Sequence, residues 1–279
     1  MLPNVDISGI AVLCPMRIER LSIEREVRAA GVRGVQVVQT GIGREAVARA
    51  VERISAALPE SIGARRLDSP NPTARCAAPV FTAAEGADGA GPAPDPARPM
   101  LILAGACGGL KPVPDVPRIE RIVDAHGHVW YPEEDPGAGV TLIAVDEVVS
   151  TPEDKRLLAE RSGASIVDME SHAFCAACEK AGVRWAVVRG VSDTPDETLP
   201  ADVLNWITPG GDTRSARAAW DMLRRPRLIP HMFDVLSRSA HVLPQVGAEV
   251  ARIIGAEAAR ALVESTPGVA DERLWAGMP

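Results

Sequence analysis

The sequence predicts an α/β domain in which helices cover a central sheet, and three observations support this. The run Trp185–Val191 is continuous and rich in β-branched residues, as expected for a parallel strand covered on both faces. Before it, apolar residues recur every three or four positions across 173–181, which predicts a helix that Gly182 ends. Ile10–Leu13 and Val35–Val38 are further apolar runs, each followed by helical periodicity.

The other expected elements follow from the same patterns and from the positions of proline and glycine. They are a helix after Pro15 that runs through Glu26, a helix after Arg44, a strand at Met100–Leu103 that leads into the glycine cluster 104–110, strands at Arg121–Trp130, Thr141–Val145 and Ser165–Val167, and helices at Ala216–Arg225, Leu228–Leu243 and Gly247–Val263.

Between Arg66 and Pro99 the composition changes to Pro, Ala, Gly, Asp and Thr. Such a segment buries too little apolar surface to offset its ordering entropy, so we expect a flexible surface insertion. Because strands resume at Met100, the sequence predicts one domain over 1–279, with a helical C-terminal extension at 214–265.

Composition limits the classes of function. The chain has 279 residues, 46% of them apolar, which is enough for a core, and its net charge of -7 argues against nucleic-acid binding. Five cysteines without framework spacing suggest a reducing compartment. We expect a cytoplasmic protein, since the apolar run Ile10–Leu13 is too short for a signal peptide and no apolar segment is long enough to span a membrane.

Two carboxylates fall at element ends, where ligands bind in open α/β sheets. Glu170 lies where a helix begins, and Asp193 follows the carboxyl end of the strand Trp185–Val191. These residues belong to two motifs, Val167-Asp-Met-Glu170 and, about twenty residues later, Arg189-Gly-Val-Ser-Asp193.

In order and spacing, these motifs resemble those of the superfamily of purine nucleoside phosphorylases and methylthioadenosine/S-adenosylhomocysteine nucleosidases. The resemblance implies a single nucleoside phosphorylase-like domain with a central mixed, twisted sheet. It also implies that Glu170 binds the ribose hydroxyls and that Asp193 protonates the purine. Met169 would lie beside the sugar, and Ser192 would orient the carboxyl of Asp193.

The resemblance implies further site residues. Met16 and Glu19 fit the spacing of the family's catalytic glutamate, although Arg17 and Ile18 stand where nucleosidases tend to be acidic. Alternatively, Glu19 is a solvated acid in the first turn of a helix, favoured there by the helix dipole. The resemblance places Ala106 and Gly108 behind the sugar, and Val148 and Val149 against the base. It also places Gly43 in a turn at the site, although this turn could equally serve only for packing.

These residues predict cleavage of the N-glycosidic bond of a 5′-substituted adenosine, with release of adenine. Asp193 would donate a proton to the leaving purine, and Glu19 would activate water. Phosphorolysis stays an alternative, with Arg17, Arg44 and Arg189 as the arginines near the motifs, and Arg189 could equally hold Glu170 or Asp193. We expect no cofactor, with phosphate as the alternative co-substrate.

Four other interpretations concern a binding protein, a dinucleotide-binding enzyme, a metal site and a cysteine pair. A non-catalytic nucleoside-binding protein would have the same fold. A dinucleotide-binding enzyme is excluded, because no Gly-x-Gly-x-x-Gly follows the first strand. His126 and His128 would share one strand face, but without a third ligand nearby we expect no metal site. Cys175 and Cys178 are expected to pack within a helix.

The C-terminal part of the sequence resembles one branch of this superfamily. The segments SDTPDETLPADVL and LRRPRLIPHMFDVLSRSAHVL are similar to the hopanoid-associated branch, which removes adenine from adenosylhopane. The basic cluster 224–227 beside Leu228 and Phe233 is compatible with peripheral membrane contact or with a solvated helix end over a packed apolar stripe. The resemblance also implies a homo-oligomer.

Overall fold

A computed structural model describes residues 7, 9–58, 98–132, 137–199, 206–214, 224 and 228–265. In chain order, the elements are β1 (Ile10–Cys14), α1 (Arg17–Ala29), β2 (Gln36–Gln39), α2 (Arg44–Ala57), β3 (Met100–Gly109), β4 (Ile119–Asp124), β5 (Val129–Trp130), β6 (Val140–Ala144), α3 (Pro152–Ser162), β7 (Ile166–Asp168), α4 (Ser171–Ala181), β8 (Arg184–Asp193) and α5 (Leu228–Ser265).

The strands form one mixed sheet with the order β2-β1-β3-β7-β6-β4-β5, and β8 also pairs with β3. β3 is the central strand, because it runs parallel to β1 and β8 and antiparallel to β7. The sheet therefore confirms the predicted mixed α/β architecture, including the parallel strand at Trp185–Val191.

The glycine cluster is part of β3, which extends through Gly109. Small residues are required here because neighbouring groups approach the backbone closely. A Cβ on Gly108 would lie 3.0 Å from Cγ1 of Val167, and one on Gly109 would lie 2.8 Å from the carbonyl oxygen of Asp193. The glycines thus allow β7 and the end of β8 to reach the same end of β3.

Alternate residues of β1 and β3 face the two sides of the sheet, as the pleat requires. On one side, Leu13 and Leu103 belong to a core that includes α2 and α4. On the other, Val12 and Ile102 belong to a core that includes α1 and α5. Both faces of the central strands are therefore buried, which explains their continuous apolar sequences.

Two sequence predictions are wrong in detail. The predicted strand Arg121–Trp130 is a hairpin, in which β4 pairs antiparallel with β5 and Gly127 adopts a φ of 85° in the turn. The helices predicted at Leu228–Leu243 and Gly247–Val263 are the single helix α5, which contains Pro244. Proline removes a backbone donor, but packing of the apolar face of α5 against the sheet outweighs that loss.

The predicted insertion 66–99 lies outside the described residues except for Arg98 and Pro99, and the predicted helix Ala216–Arg225 does so except for Arg224. Within the described part of the chain, none of the helices combines the length and the hydropathy that crossing a membrane requires.

Candidate active site

Glu19 lies in the first turn of α1 and is only 1% exposed. Its Oε2 accepts a hydrogen bond from the Met16 N–H at 2.7 Å, as acids at this helix position do. Its Oε1 accepts a bond from the Ala106 N–H at 2.8 Å. Burial raises the pKa of Glu19 to about 7, although the Ala106 N–H and Arg189 oppose the rise. The interpretation of Glu19 as a solvated surface acid is therefore wrong.

Arg189 lies in β8 and is completely buried. Its Nη2 is 2.5 Å from Oδ2 of Asp168 and 3.4 Å from Oε2 of Glu170. Burial opposes its charge, but Asp168, Glu170 and Glu19 raise the pKa of Arg189 above its ordinary value. Among the described residues, neither Nε nor Nη1 of Arg189 has a hydrogen-bond partner. Of the two alternatives for this arginine, the structure therefore supports the one in which it holds Glu170.

Glu170 precedes α4 and connects this arginine to the glycine turn before α2. Its Oε1 accepts a hydrogen bond from the Gly43 N–H at 3.0 Å, and Gly43 has a φ of 88°. Burial raises the pKa of Glu170, although Arg189 opposes the rise. The backbone N–H of this glycine turn is therefore bound by the protein's own carboxylate.

Asp193 ends β8 and is only 2% exposed. Its Oδ1 lies 3.2 Å from Oγ of Ser192, which also donates to the Cys107 carbonyl. Its Oδ2 accepts a short hydrogen bond from Nζ of Lys155, which is completely buried. Burial raises the pKa of Asp193, although Lys155 and Ser192 oppose the rise.

These groups meet along β3. A Cβ on Gly105 would lie 2.5 Å from Oε1 of Glu19 and 3.0 Å from Nη1 of Arg189, while one on Gly108 would lie 3.4 Å from Oδ2 of Asp193. Two carboxylates and an arginine therefore surround a four-residue stretch of one strand.

Comparison with known proteins bears on the family motifs and on the fold. The model of the phosphorylase superfamily matches residues 137–224, which contain the motifs of Glu170 and Asp193. No curated protein sequence is significantly similar to the chain. A solved structure of a candidate 5′-methylthioadenosine/S-adenosylhomocysteine nucleosidase from Francisella philomiragia is 12% identical, with a TM-score of 0.50 over 88% of this chain and 97% of that chain.

The fold is nucleoside phosphorylase-like. Two further solved structures are similar with lower TM-scores. The Helicobacter pylori nucleosidase with 5′-methylthioadenosine in its active site has a TM-score of 0.47 at 13% identity, over 90% of this chain and 98% of that chain. The Arabidopsis thaliana 5′-methylthioadenosine nucleosidase has a TM-score of 0.48 at 13% identity, over 91% and 93%.

Sequence reasoning missed Lys155 and Asp168. Lys155 and Ala159 are the buried residues of α3, so a lysine occupies the inward face four residues before an apolar one. No helix over 152–162 is predicted from the sequence, and a lysine on a helix is usually solvated. Asp168 accepts hydrogen bonds from the backbone and hydroxyl of Ser171, in addition to its ion pair with Arg189.

The other predicted site residues are less constrained. Met169 is half-buried between β7 and α4. Val148 and Val149 are half-buried in the loop after β6, and Val149 packs against a hydrophobic cluster that includes Leu110. Their predicted contacts with sugar and base stay predictions.

His126 and His128 lie at the hairpin turn between β4 and β5, not on one strand face. Nδ1 of His128 is 2.7 Å from Oδ2 of Asp124, which explains its position. The described residues contain no cluster of three or more potential metal ligands. A surface groove of about 720 Å³, lined in part by Pro152, Arg156 and Pro195, contains neither Glu19 nor Asp193.

Proposed function

We propose that the protein hydrolyses the N-glycosidic bond of an adenosine-type nucleoside and releases adenine. The observation that carries this proposal is the convergence of the buried carboxyl groups of Glu19 and Asp193 on residues 105–108 of β3. Burial raises the pKa of both groups, as is common for groups that transfer protons in active sites.

Bond cleavage requires a proton on the leaving purine and electron density near the oxocarbenium-like sugar. Asp193 supplies the proton, and Ser192 orients the carboxyl group of Asp193 by its contact with Oδ1. Glu170, fixed by Gly43 and Arg189, accepts hydrogen bonds from the ribose hydroxyls and favours the positive charge that develops on the sugar. Glu19 removes a proton from the attacking water, a role for which a pKa of about 7 is suitable.

Charge favours water over phosphate as the nucleophile. Arg17 is exposed on α1, and Arg44 is exposed and paired with Asp146 at 2.9 Å. Arg189 is already bound to two carboxylates. A phosphate dianion near Glu19 and Glu170 would meet like charges, whereas a neutral water would not.

The substituent at the 5′ position is a finer part of the proposal. We propose a 5′-substituted adenosine, and the similarity of the C-terminal segments to the hopanoid-associated branch supports adenosylhopane as a candidate. The structure does not describe the side chains of the basic and apolar cluster at 225–233, so membrane contact stays a prediction. Cytoplasmic location and a homo-oligomeric state also stay predictions.

The test measures, by chromatography, the release of adenine from adenosine, from 5′-methylthioadenosine and from a lipid-bearing 5′-substituted adenosine. Each substrate is assayed with and without inorganic phosphate, and Asp193→Asn is assayed in parallel. Release that does not require phosphate is expected. Release only with phosphate, together with formation of a sugar 1-phosphate, would replace hydrolysis by phosphorolysis. Adenine binding without release from any substrate would identify a binding protein.

A further inference from the structure

Lys155 is the completely buried cation beside the proposed acid, and all its donors are used. Its Nζ donates to Oδ2 of Asp193, to the Thr194 carbonyl at 2.7 Å and to the Glu197 carbonyl at 3.0 Å. Thr151 caps the N-terminus of α3 and fixes the turn that carries this lysine.

A buried ion pair of this kind is a poor way to stabilise a fold. The desolvation cost of two buried charges is large, and replacing such a pair with apolar residues is often neutral or stabilising. The loop 194–197 has a second anchor, because the Glu197 carboxylate is bound by Arg238 of α5 at 2.7 Å. Fold stability therefore does not explain why a lysine lies next to Asp193.

The geometry has a chemical consequence for Asp193. Because the ammonium group donates a charge-assisted hydrogen bond to Oδ2, negative charge is favoured on that oxygen and the acidic proton is favoured on the other. The proton is then directed to Oδ1, which Ser192 contacts. After Asp193 has given up this proton, the ammonium group stabilises the carboxylate that remains, which makes Asp193 a stronger acid.

We propose that Lys155 is a positioning residue that orients the carboxyl of Asp193 and strengthens it as the acid of the reaction. This inference rests on the proposed function. As the bond from C1′ to the purine nitrogen breaks, its electron pair goes to the purine, and the proton on Oδ1 moves to a ring nitrogen. Lys155 keeps its own protons throughout. Glu19 holds the proton taken from water, and exchange with solvent returns one proton to Asp193 and removes one from Glu19.

Other charged and titratable groups face this pair. From the loop after β8, Glu197 raises the pKa of Asp193, and from α5 Arg238 binds Glu197. From β3, Cys107 lies close to Asp193, and burial raises the pKa of its thiol above the ordinary value. None of these groups contacts Oδ2 as Lys155 does, so a change at Lys155 is the direct way to alter the acid.

The test compares the pH dependence of adenine release by the wild type and by Lys155→Met. Removal of the cation is expected to move the alkaline limb, where Asp193 loses its proton, upward by about 1–3 pH units. The plateau kcat is expected to fall roughly tenfold, because a weaker acid donates less readily. A purely structural lysine would instead lower activity equally at every pH.

Control variants keep the test decisive. Lys155→Gln keeps a donor for the carbonyls without the charge and should shift the limb, whereas Lys155→Arg keeps the charge and should not. If Lys155→Met does not fold, this pair of variants gives the answer. Lys111→Met removes a lysine that binds the Gly163 carbonyl and should leave the profile unchanged.

An unshifted alkaline limb in Lys155→Met or Lys155→Gln would overturn the inference. Absence of adenine release by the wild type would instead overturn the proposed function. In that case, a double-mutant cycle with Asp193→Asn still tests the pair, because the double variant with Lys155→Met should be more stable than the sum of the single losses predicts.

Discussion

Two buried charge clusters lie beside β3, and they are satisfied to different degrees. In the cluster around Arg189, one cation serves Asp168 and Glu170, with Glu19 close by, and two of its guanidinium nitrogens have no partner among the described residues. In the cluster around Lys155, one cation serves the single carboxylate Asp193, and every donor is used.

This difference explains how an acid, Asp193, and a base, Glu19, can both lie beside the same strand, β3. Burial raises the pKa of Glu19 to about 7, and Glu170 adds to the rise while Arg189 opposes it. The one-to-one pairing with Lys155 limits the rise that burial imposes on the pKa of Asp193. The cluster around Arg189 is thus suited to accept a proton and to bind hydroxyl groups, while the cluster around Lys155 is suited to donate a proton.

The largest expected effect is loss of the acid. Asp193→Asn should lower kcat by about 10²–10⁴, because the amide cannot donate a proton of comparable acidity, while adenine affinity changes little. Steady-state kinetics and calorimetric binding of adenine measure the two quantities. A loss of less than about tenfold would remove Asp193 from the acid role and end the proposed division between the clusters.

The next effect is on stability and concerns the cluster around Arg189. Arg189→Met leaves Asp168 and Glu170 buried without their cation, and should lower the free energy of unfolding by about 3–5 kcal/mol. Urea denaturation measures this loss. Arg156→Met is the matched control, because Arg156 forms an exposed pair with Glu160 and should cost less than about 0.5 kcal/mol. Equal losses in both variants would contradict the assigned importance of the buried network.

The pH dependence of stability tests Glu19. Its folded-state pKa of about 7 lies above the ordinary value of 4.5, so the folded protein retains a proton that the unfolded chain releases. The free energy of unfolding should therefore fall as pH rises from about 4.5 to about 7, by roughly 3 kcal/mol for this group.

Glu19→Gln should flatten that slope, as followed by denaturation at several pH values. Glu170, Asp193 and Glu179, whose pKa values burial also raises, contribute to the slope that remains. An unchanged slope would show that Glu19 is ionised normally and would remove the electrostatic contrast between the clusters.

The smallest effect concerns the close approach of Glu19 to β3. Gly105→Ala places a methyl group 2.5 Å from Oε1 of Glu19, and should cost about 1–3 kcal/mol of stability and lower activity. Gly255→Ala is the control, because its Cβ would meet nothing within 4 Å and alanine favours a helix. Thermal denaturation compares the two. A Gly105→Ala protein as active as the wild type would mean that Glu19 has room to move.

The sequence reveals part of this site because part of it is local. Glu170 and Asp193 were predicted from the start of a helix and the end of a strand, which leave readable signals in neighbouring residues. The sequence does not distinguish Glu170 from Asp193 as the partner of Arg189, because the pairing depends on how β7 and β8 lie against β3. Lys155 was missed for a related reason, since whether a helical lysine faces inward depends on tertiary packing.

The same contrast holds for the fold. Gly182 ends α4 as predicted, since its left-handed φ of 67° is a local requirement. Pro244 does not end a helix, because the apolar face of α5, with Val242, Val246 and Val250, is buried against the core. Gly127 marked a turn within the predicted strand Arg121–Trp130, and giving more weight to that glycine would have predicted the hairpin.

The contact between Gly190 and α5 has a practical consequence. A Cβ on Gly190 would overlap Cγ1 of Val242, so α5 packs directly on the backbone of the strand that carries Arg189. A chain shortened before Val242 would expose this strand to solvent. The C-terminal helix therefore sets the limit for trimming the protein, and fusion partners are best attached beyond it.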